Sequence, residues 1–426
     1  MKLSDSIQIP CSKPVRGRIR IPGSKSIANR AILIASLAKG VSCLDGMLFS
    51  DDTLYMMAAW ENLGSEFRHD GDLLEITGCD GRLLPFSTPI YVENAGTAAR
   101  FLTAALTLGE GTYVLDGNER MRQRPILDLL GALNDLGGDV KDALGSGCPP
   151  VTVSARGLSG GVVSIPGEKS SQYISAILLA APYAENQTTI EITGSLVSRS
   201  YVELTINMMR SFGVQCDWLT DSSLTIKPGQ RYMAQNYSIE GDASSASYFF
   251  GLAAITRGRI KVTGIKPDSS QGDLGLLGIL EQMGCEVHWE DDGVVVIGKP
   301  LQAVEVDMNT MSDVAPTLAV IALFAEGTTK ILNVGNMRIK ECDRIHALTT
   351  ELRKLGATVD ETETGISVTG GLSYQGTDLE TWDDHRMAMS LSLAGLRIPG
   401  VTILNPHCVS KTFPTFFEKF MPFLKS

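Results

Sequence analysis

The stretch IPGSKSIANR, Ile21 to Arg30, sets Lys25 between two hydroxyls, Ser24 and Ser26, after a proline–glycine turn, with Arg30 one helical turn further on. IPGEKSSQYI, Ile165 to Ile174, repeats the arrangement with Lys169, Ser170, Ser171 and Gln172. Hydroxyls and a cation at a helix start describe a place to hold an anion, because free backbone N–H groups and the positive end of the helix dipole face outward there. Further helix starts carry Asn94, Gly96 and Thr97; Asp242, Ser244 and Ser245; Asp313; and Asp383, Asp384, His385 and Arg386. N-capping explains most of these residue types. It does not explain cations in the first turn, which the dipole disfavours, and Lys25, Lys169 and Arg386 are read as such cations. The connections into the next helices add Arg120, Arg122 and Arg124 in GNERMRQRP, Arg338, Lys340 and Arg344 around Glu341 in GNMRIKECDRI, and Lys411 in SKTFP. Of these, Arg120 or Arg122 is expected to be solvated surface. If the helix starts converge, they make a basic, hydroxyl-rich cleft with a few carboxylates, suited to small substrates bearing phosphate and carboxylate groups.

Other phosphate chemistries do not fit. Lys25 follows Ser24 without the glycine spacing of a Walker A loop, and no G-x-G-x-x-G opens a βαβ unit. The 426 residues carry a formal charge of −11, which argues against a dedicated nucleic-acid binder. No apolar run has the length of a membrane span, and the start MKLSDSIQIPCSKP has no signal-peptide pattern. The eight cysteines form no CxxC pair and HExxH is absent, so a structural metal is not expected. Scattered cysteines of this kind are read as reduced thiols in a cytosol, so a cytoplasmic protein is expected.

The elements that must position these residues repeat. TLYMMAAWENLG, ILDLLGALNDLG, VELTINMMRSFG, LGLLGILEQMG and IHALTTELRKLG each end a helical pattern in glycine, at Gly64, Gly137, Gly213, Gly284 and Gly356. Those glycines are 73, 76, 71 and 72 residues apart, and each is the expected left-handed cap. A short strand precedes each such helix, a small-residue helix precedes that strand, and a hairpin follows the glycine, as in CEVHWEDDGVVVIG. The unit of helix, strand, helix and hairpin occurs six times, the last truncated. The first helix of each unit is apolar nearly all round, which predicts helices inside and sheets outside. Six such units exceed one core, so two domains of three are predicted: residues 1–22 with 241–426, and residues 23–240, with the active site in the cleft between them. The chain crosses within KPGQRYMAQNYSIEGD and again after SIQIPCSKPVRGRIRI.

The motifs PGSKSIANRA, ENAGTAAR, RMRQRPI, KSSQY, LVSRSY, DASSAS, SDVAP, RIKECDRI, DDHRMAM and KTFP run in order from end to end. In them the chain resembles the 5-enolpyruvylshikimate-3-phosphate synthase family of enolpyruvyl transferases. That resemblance implies an α/β fold, a two-domain inside-out α/β barrel of six repeated βαβαββ units. It also implies transfer of the enolpyruvyl group of phosphoenolpyruvate to the 5-hydroxyl of shikimate 3-phosphate in aromatic amino-acid biosynthesis, with no metal or organic cofactor, and a monomer is expected. It would place shikimate 3-phosphate at Lys25, Ser26, Arg30, Ser170, Ser171, Gln172, Ser198, Tyr201, Asp313, Asn336 and Lys340. Phosphoenolpyruvate would meet Lys25, Asn94, Gly96, Thr97, Arg124, Gln172, Arg344, Arg386 and Lys411, and Lys25, Asp313 and Glu341 would be catalytic. The chemistry needs one base for the hydroxyl and one acid for the methylene carbon. Each bound phosphate, with roughly −1.5 to −2 charges, favours a protonated Glu341, so that residue is expected to act as acid only in the closed ternary complex. The family commonly has glycine before the asparagine of NAGT, proline after the following arginine and asparagine before DHR. Here Glu93, Phe101 and Asp383 stand at those positions.

Three alternatives stay open. Transfer to UDP-N-acetylglucosamine would call for a cysteine or aspartate acid on a mobile loop, yet GNERMRQRP has no cysteine and Cys148 lies in GSGCPPVTV. A silent phospho-ligand binder would have lost Lys25, Asp313 or Glu341, and all three are present. A modified cyclic acid as acceptor is the third.

Overall fold

A computed structural model describes residues 4–424, and the chain divides into two compact units, residues 1–22 with 240–426 and residues 23–239. Three inner helices lie in the unit of residues 23–239: α1 (Lys25–Leu37), α2 (Gly96–Leu106) and α3 (Ser171–Ala180). The other unit holds α4 (Ala243–Thr256), α5 (Ala315–Ala322) and α6 (His385–Ser392). Every residue of α2, α4, α5 and α6 is buried. Their alanines and serines let helices and sheets approach closely, and burial on all sides leaves no polar face to point at water.

Among the described residues, five four-stranded sheets share one layout: an entry strand, parallel to it the strand after the inner helix, then a hairpin. In the third repeat these are Gly161–Pro166, Thr188–Thr193 and the hairpin of Cys216–Thr220 with Ser223–Ile226. Between the parallel strand and the hairpin runs the second helix, and its capping glycine is left-handed in all five complete repeats. The φ values are 107°, 90°, 86°, 107° and 87° at Gly64, Gly137, Gly213, Gly284 and Gly356. An L side chain is disfavoured there, which is why glycine punctuates each copy. At the other end of the hairpin Gly298 passes the end of α4, where an added Cβ would lie 2.1 Å from the Ala253 carbonyl oxygen.

Two entry strands are out of sequence order. Arg16–Arg20, which precedes α1, runs parallel to Arg259–Thr263 behind α4. Asn236–Ser238, which precedes α4, runs parallel to Cys43–Asp45 behind α1. Each unit thus completes its first sheet with a strand from a distant part of the chain. The sixth repeat is shorter: Thr402–Leu404 pairs with Ser6–Gln8 and Asp378–Leu379. Where other copies have a hairpin, Phe413, Phe416, Phe420 and Phe423 pack around Phe249 of α4. Among the described residues no helix is long and apolar enough to cross a membrane.

Candidate active site

In the unit of residues 23–239, Lys25 is the first residue of α1 behind Ser24. Its side chain is 11% exposed, and Nζ lies 3.3 Å from Asp52 Oδ2. Asp52 belongs to the first turn of the helix Asp51–Asn62, so an acidic side chain at a neighbouring helix start offsets the lysine that the dipole disfavours. Ser26 is half-buried, and its carbonyl accepts Arg30 NH1 at 2.8 Å. Arg30 is buried, with Nε donating to Thr205 Oγ1 at 2.7 Å and NH2 to the Tyr201 carbonyl at 3.2 Å. Burial pulls its guanidinium down to about 10, against a small upward push from Tyr201, and it keeps its charge at neutral pH. Arg30 therefore braces Ser26 and Tyr201 from beneath.

Just before α2, Asn94 is held by Arg124, whose NH1 donates to the Asn94 carbonyl at 3.1 Å and to its Oδ1 at 3.0 Å. The guanidinium lies over Gly96: a Cβ added there would be 2.4 Å from Arg124 NH2. Gln172 Nε2 donates to Thr97 Oγ1 at 3.3 Å, tying α3 to α2. Ser170 caps α3, accepting Gln172 N at 3.2 Å, and Ser171 is its first residue. Ser198 stands immediately before the helix Arg199–Ser211 with a left-handed backbone. The reading of Lys169 as a first-turn cation is wrong. It precedes the cap, its side chain is 52% exposed, and it pairs with Asp128 at 2.9 Å. Arg122 is surface as expected, paired with Asp116.

In the other unit the polar groups converge on Arg344, the first residue of the helix Arg344–Lys354 and 1% exposed. Its Nε donates to Asp384 Oδ2 at 2.7 Å, NH2 to Glu341 Oε2 at 2.7 Å, and NH1 to Asp313 Oδ1 at 3.2 Å. Burial pulls this guanidinium down, but Asp384, Glu341 and Asp313 together outweigh that and hold it well above its ordinary value. Arg386 donates to the second oxygen of Asp313 at 2.8 Å, and Lys340 Nζ lies 3.8 Å from the first. Asn336 Nδ2 donates to Ser312 Oγ at 3.1 Å beside them, and Lys411 is the half-buried last residue of the turn Pro406–Lys411. Glu341 is 8% exposed. One carboxylate ringed by three cations, with a second carboxylate on the shared arginine, is an arrangement that can move protons while holding anions.

Over this geometry the similarity to known proteins is decisive. The family model of EPSP synthase (3-phosphoshikimate 1-carboxyvinyltransferase) matches residues 9–420. The chain belongs to the EPSP synthase family. A 3-phosphoshikimate 1-carboxyvinyltransferase of Shewanella pealeana is 46% identical over 412 residues, 96% of this chain and 97% of that protein. One from a Sulfurovum species is 46% identical over 414 residues, 95% of this chain and 97% of that protein. An EPSP synthase structure from Acinetobacter baumannii superposes with a TM-score of 0.82 at 27% identity, covering 97% of this chain and 96% of that one. The fold is thus that of EPSP synthases, the two-domain inside-out α/β architecture.

Against the EPSP synthase pattern, the departures have local structural accounts. Glu93, where glycine is common, has φ 49°. Its carboxylate accepts Asn118 Nδ2 at 2.7 Å and the Tyr91 hydroxyl at 2.6 Å, which offsets the left-handed strain. Phe101, where proline is common, presents its ring to Arg30, whose Cζ lies 5.1 Å from the ring centroid. Asp383 has φ 52°, a conformation that asparagine and aspartate tolerate best after glycine.

Three residues of this environment were not read as site residues from the sequence. Asp384 looked like a helix cap, and it does cap α6 by accepting Arg386 N at 2.8 Å, but it also takes Arg344. Asp52 had no signal beyond a first-turn acid. Asp273, 4% exposed, accepts the Ser244 hydroxyl, and burial followed by the nearby Asp313 charge pushes its carboxyl up to about 6. Only a QGD turn marked it.

Proposed function

We propose that Lys25, Asp313 and Glu341 carry the proton transfers of enolpyruvyl transfer, and that the residue sets of both units serve this one reaction. The chain is a transferase, a 3-phosphoshikimate 1-carboxyvinyltransferase of aromatic amino-acid biosynthesis, and it moves the enolpyruvyl group of phosphoenolpyruvate to the 5-hydroxyl of shikimate 3-phosphate. Asp313 takes the hydroxyl proton as the oxygen attacks C2, while Glu341, with Lys25 sharing the charge, supplies a proton to C3. The resulting tetrahedral intermediate then loses the C3 proton and its C2–O bond to phosphate, so the product enol ether forms and the hydroxyl proton leaves with phosphate.

The observation that supports these roles most directly is the grip of Arg344 on Asp313, Glu341 and Asp384 together. It fixes both candidate carboxylates on one rigid planar fork, as base and acid acting on the same substrate require. Arg124, Arg344, Arg386 and Lys411, with Asn94, Gly96, Thr97 and Gln172, are assigned to phosphoenolpyruvate. Ser26, Ser170, Ser171, Gln172, Ser198 and Tyr201, braced by Arg30, are assigned to the phosphate side of shikimate 3-phosphate, and Asn336, Lys340 and Asp313 to its ring. We place the protein in the cytoplasm, supported by eight free cysteines among the described residues, and take it to act as a monomer.

The test is phosphate release from phosphoenolpyruvate, with and without shikimate 3-phosphate, in wild type, Asp313→Ala and Glu341→Gln. Release that needs both substrates and falls at least 100-fold in each variant, with phosphoenolpyruvate still bound, is expected. Near-normal turnover in either variant removes that residue from its role.

A further inference from the structure

Residues 381–384 make a tight turn directly before α6. Asp384 N donates to the Thr381 carbonyl at 2.9 Å, and both residues between, Trp382 and Asp383, are left-handed, with φ 55° and 52°. Two successive positive φ values are the backbone of a type I′ turn, whose centre favours asparagine and glycine. A tryptophan there crowds its own Cβ against the following carbonyl, so the turn has to be held by its surroundings.

Glu351 holds it. This residue lies two turns along the helix that begins with Arg344, and it is fully buried. Its Oε1 accepts the Trp382 indole Nε1 at 2.9 Å, and its Oε2 accepts Glu380 N at 3.0 Å. Lys354 Nζ, 2.8 Å from Oε2, balances the charge. From the other side Asn405 Nδ2 donates to Asp383 Oδ1 at 3.2 Å. The turn delivers Asp384, whose carboxylate receives Arg344 Nε and the backbone N–H of Arg386. Both arginines therefore take their bearings from the helix of Glu351: one as its first residue, the other through the clamped turn.

We propose that Glu351 is a positioning residue for enolpyruvyl transfer, clamping the strained Trp382–Asp383 turn so that Asp384 aims Arg344 and Arg386. The proposal rests on the reading that these two arginines bind phosphoenolpyruvate. A buried carboxylate whose two oxygens each take a donor from one loop, with the Lys354 ammonium of its own helix balancing the charge, is what orienting that loop requires.

Steady-state kinetics of phosphate release test it. Glu351→Gln keeps the volume but turns an N–H toward one of the two donors, so one tie is lost. The KM for phosphoenolpyruvate should rise about tenfold while that for shikimate 3-phosphate stays within twofold. Trp382→Phe, which removes only the indole donor, should move the same constant in the same direction, and it serves if the first variant folds poorly. Lys354→Ala leaves both ties and should change neither constant. Glycine adopts positive φ without a clamp, so in a Trp382→Gly background Glu351→Gln should cost less than threefold. Equal losses in both backgrounds, or the two KM values rising together, would make Glu351 a core residue only and overturn the proposal. Arg386→Ala separates the two levels of the reading: an unchanged phosphoenolpyruvate KM there removes the assignment of the site itself, and the proposal with it.

Discussion

Gly96→Ala is the substitution for which the structure gives the sharpest expectation. An alanine Cβ at this position would lie 2.4 Å from Arg124 NH2, 2.7 Å from Cζ and 2.8 Å from NH1. Favourable contact needs about 3.5–4.0 Å, so the guanidinium must move by roughly 1 Å. Arg124 is 4% exposed and holds Asn94 through two hydrogen bonds at 3.1 and 3.0 Å. A shift of that size carries both past hydrogen-bonding range unless Asn94 follows. The fold should tolerate the change, because replacing glycine in a helix gains up to about 1 kcal/mol and the displaced group is the end of a long side chain. Activity should not tolerate it: a misplacement of about 1 Å in a positioning group costs on the order of 100-fold, about 2.7 kcal/mol of transition-state stabilisation. The assay is the initial rate of phosphate release, with phosphoenolpyruvate varied at saturating shikimate 3-phosphate and then the converse. We expect kcat/KM for phosphoenolpyruvate to fall by about 100-fold, with the KM for shikimate 3-phosphate within threefold of wild type. A variant that unfolds like wild type and keeps kcat/KM for phosphoenolpyruvate within twofold would refute the reasoning, since Arg124 would then either not serve that substrate or yield without cost.

Arg344→Met leaves Asp384, Glu341 and Asp313 in a buried setting without the cation they share. Stability at pH 7 should fall by about 3–5 kcal/mol, and by less near pH 4, where the stranded carboxylates can protonate; urea unfolding at both pH values measures it, and an equal loss at both would show that charge is not the cause. Asp273 has its folded-state pKa raised, from 3.8 to about 6, by burial first and the Asp313 charge second. Between those values the unfolded chain has lost a proton that the folded chain keeps, so this group's contribution to stability falls as pH rises from about 4 to 6 and stays low above, by up to about 3 kcal/mol. Asp273→Asn should therefore gain on wild type at pH 7 relative to pH 4 in the same unfolding experiment; a pH-independent difference would refute the shift.

How much of this could be read beforehand depends on how far each signal travels along the chain. Capping glycines, N-caps and apolar periodicity act within one or two turns, so Gly64, Gly137, Gly213, Gly284 and Gly356 marked the repeats and their left-handed φ follows. Lys25 at the first position of α1 and Arg386 in the first turn of α6 were visible for the same reason. Lys169 was misread because a cap one residue later moves it out of the helix and leaves it to Asp128. What local signals could not supply were partners. Arg386 meets Asp313 across 73 residues, one repeat length away, and Arg344 meets Asp384 across 40. Nothing in either neighbourhood encodes that meeting; it follows from stacking successive repeats so that their helix starts share an end.

The two exchanged entry strands make the same point at larger scale. The strand Arg16–Arg20, RGRIR, buries only Ile19 and carries little pairing preference of its own; only the complete set of edges decides that it pairs with Arg259–Thr263 rather than with the nearer Lys39–Asp45. Sequence by itself determined which elements form, how often they recur and which residue types could hold an anion, because those are short-range properties of the chain. The tertiary structure alone decided which charges neutralise one another and which buried carboxylates keep a turn in place. Those depend on distances between residues that the chain separates and only packing brings together.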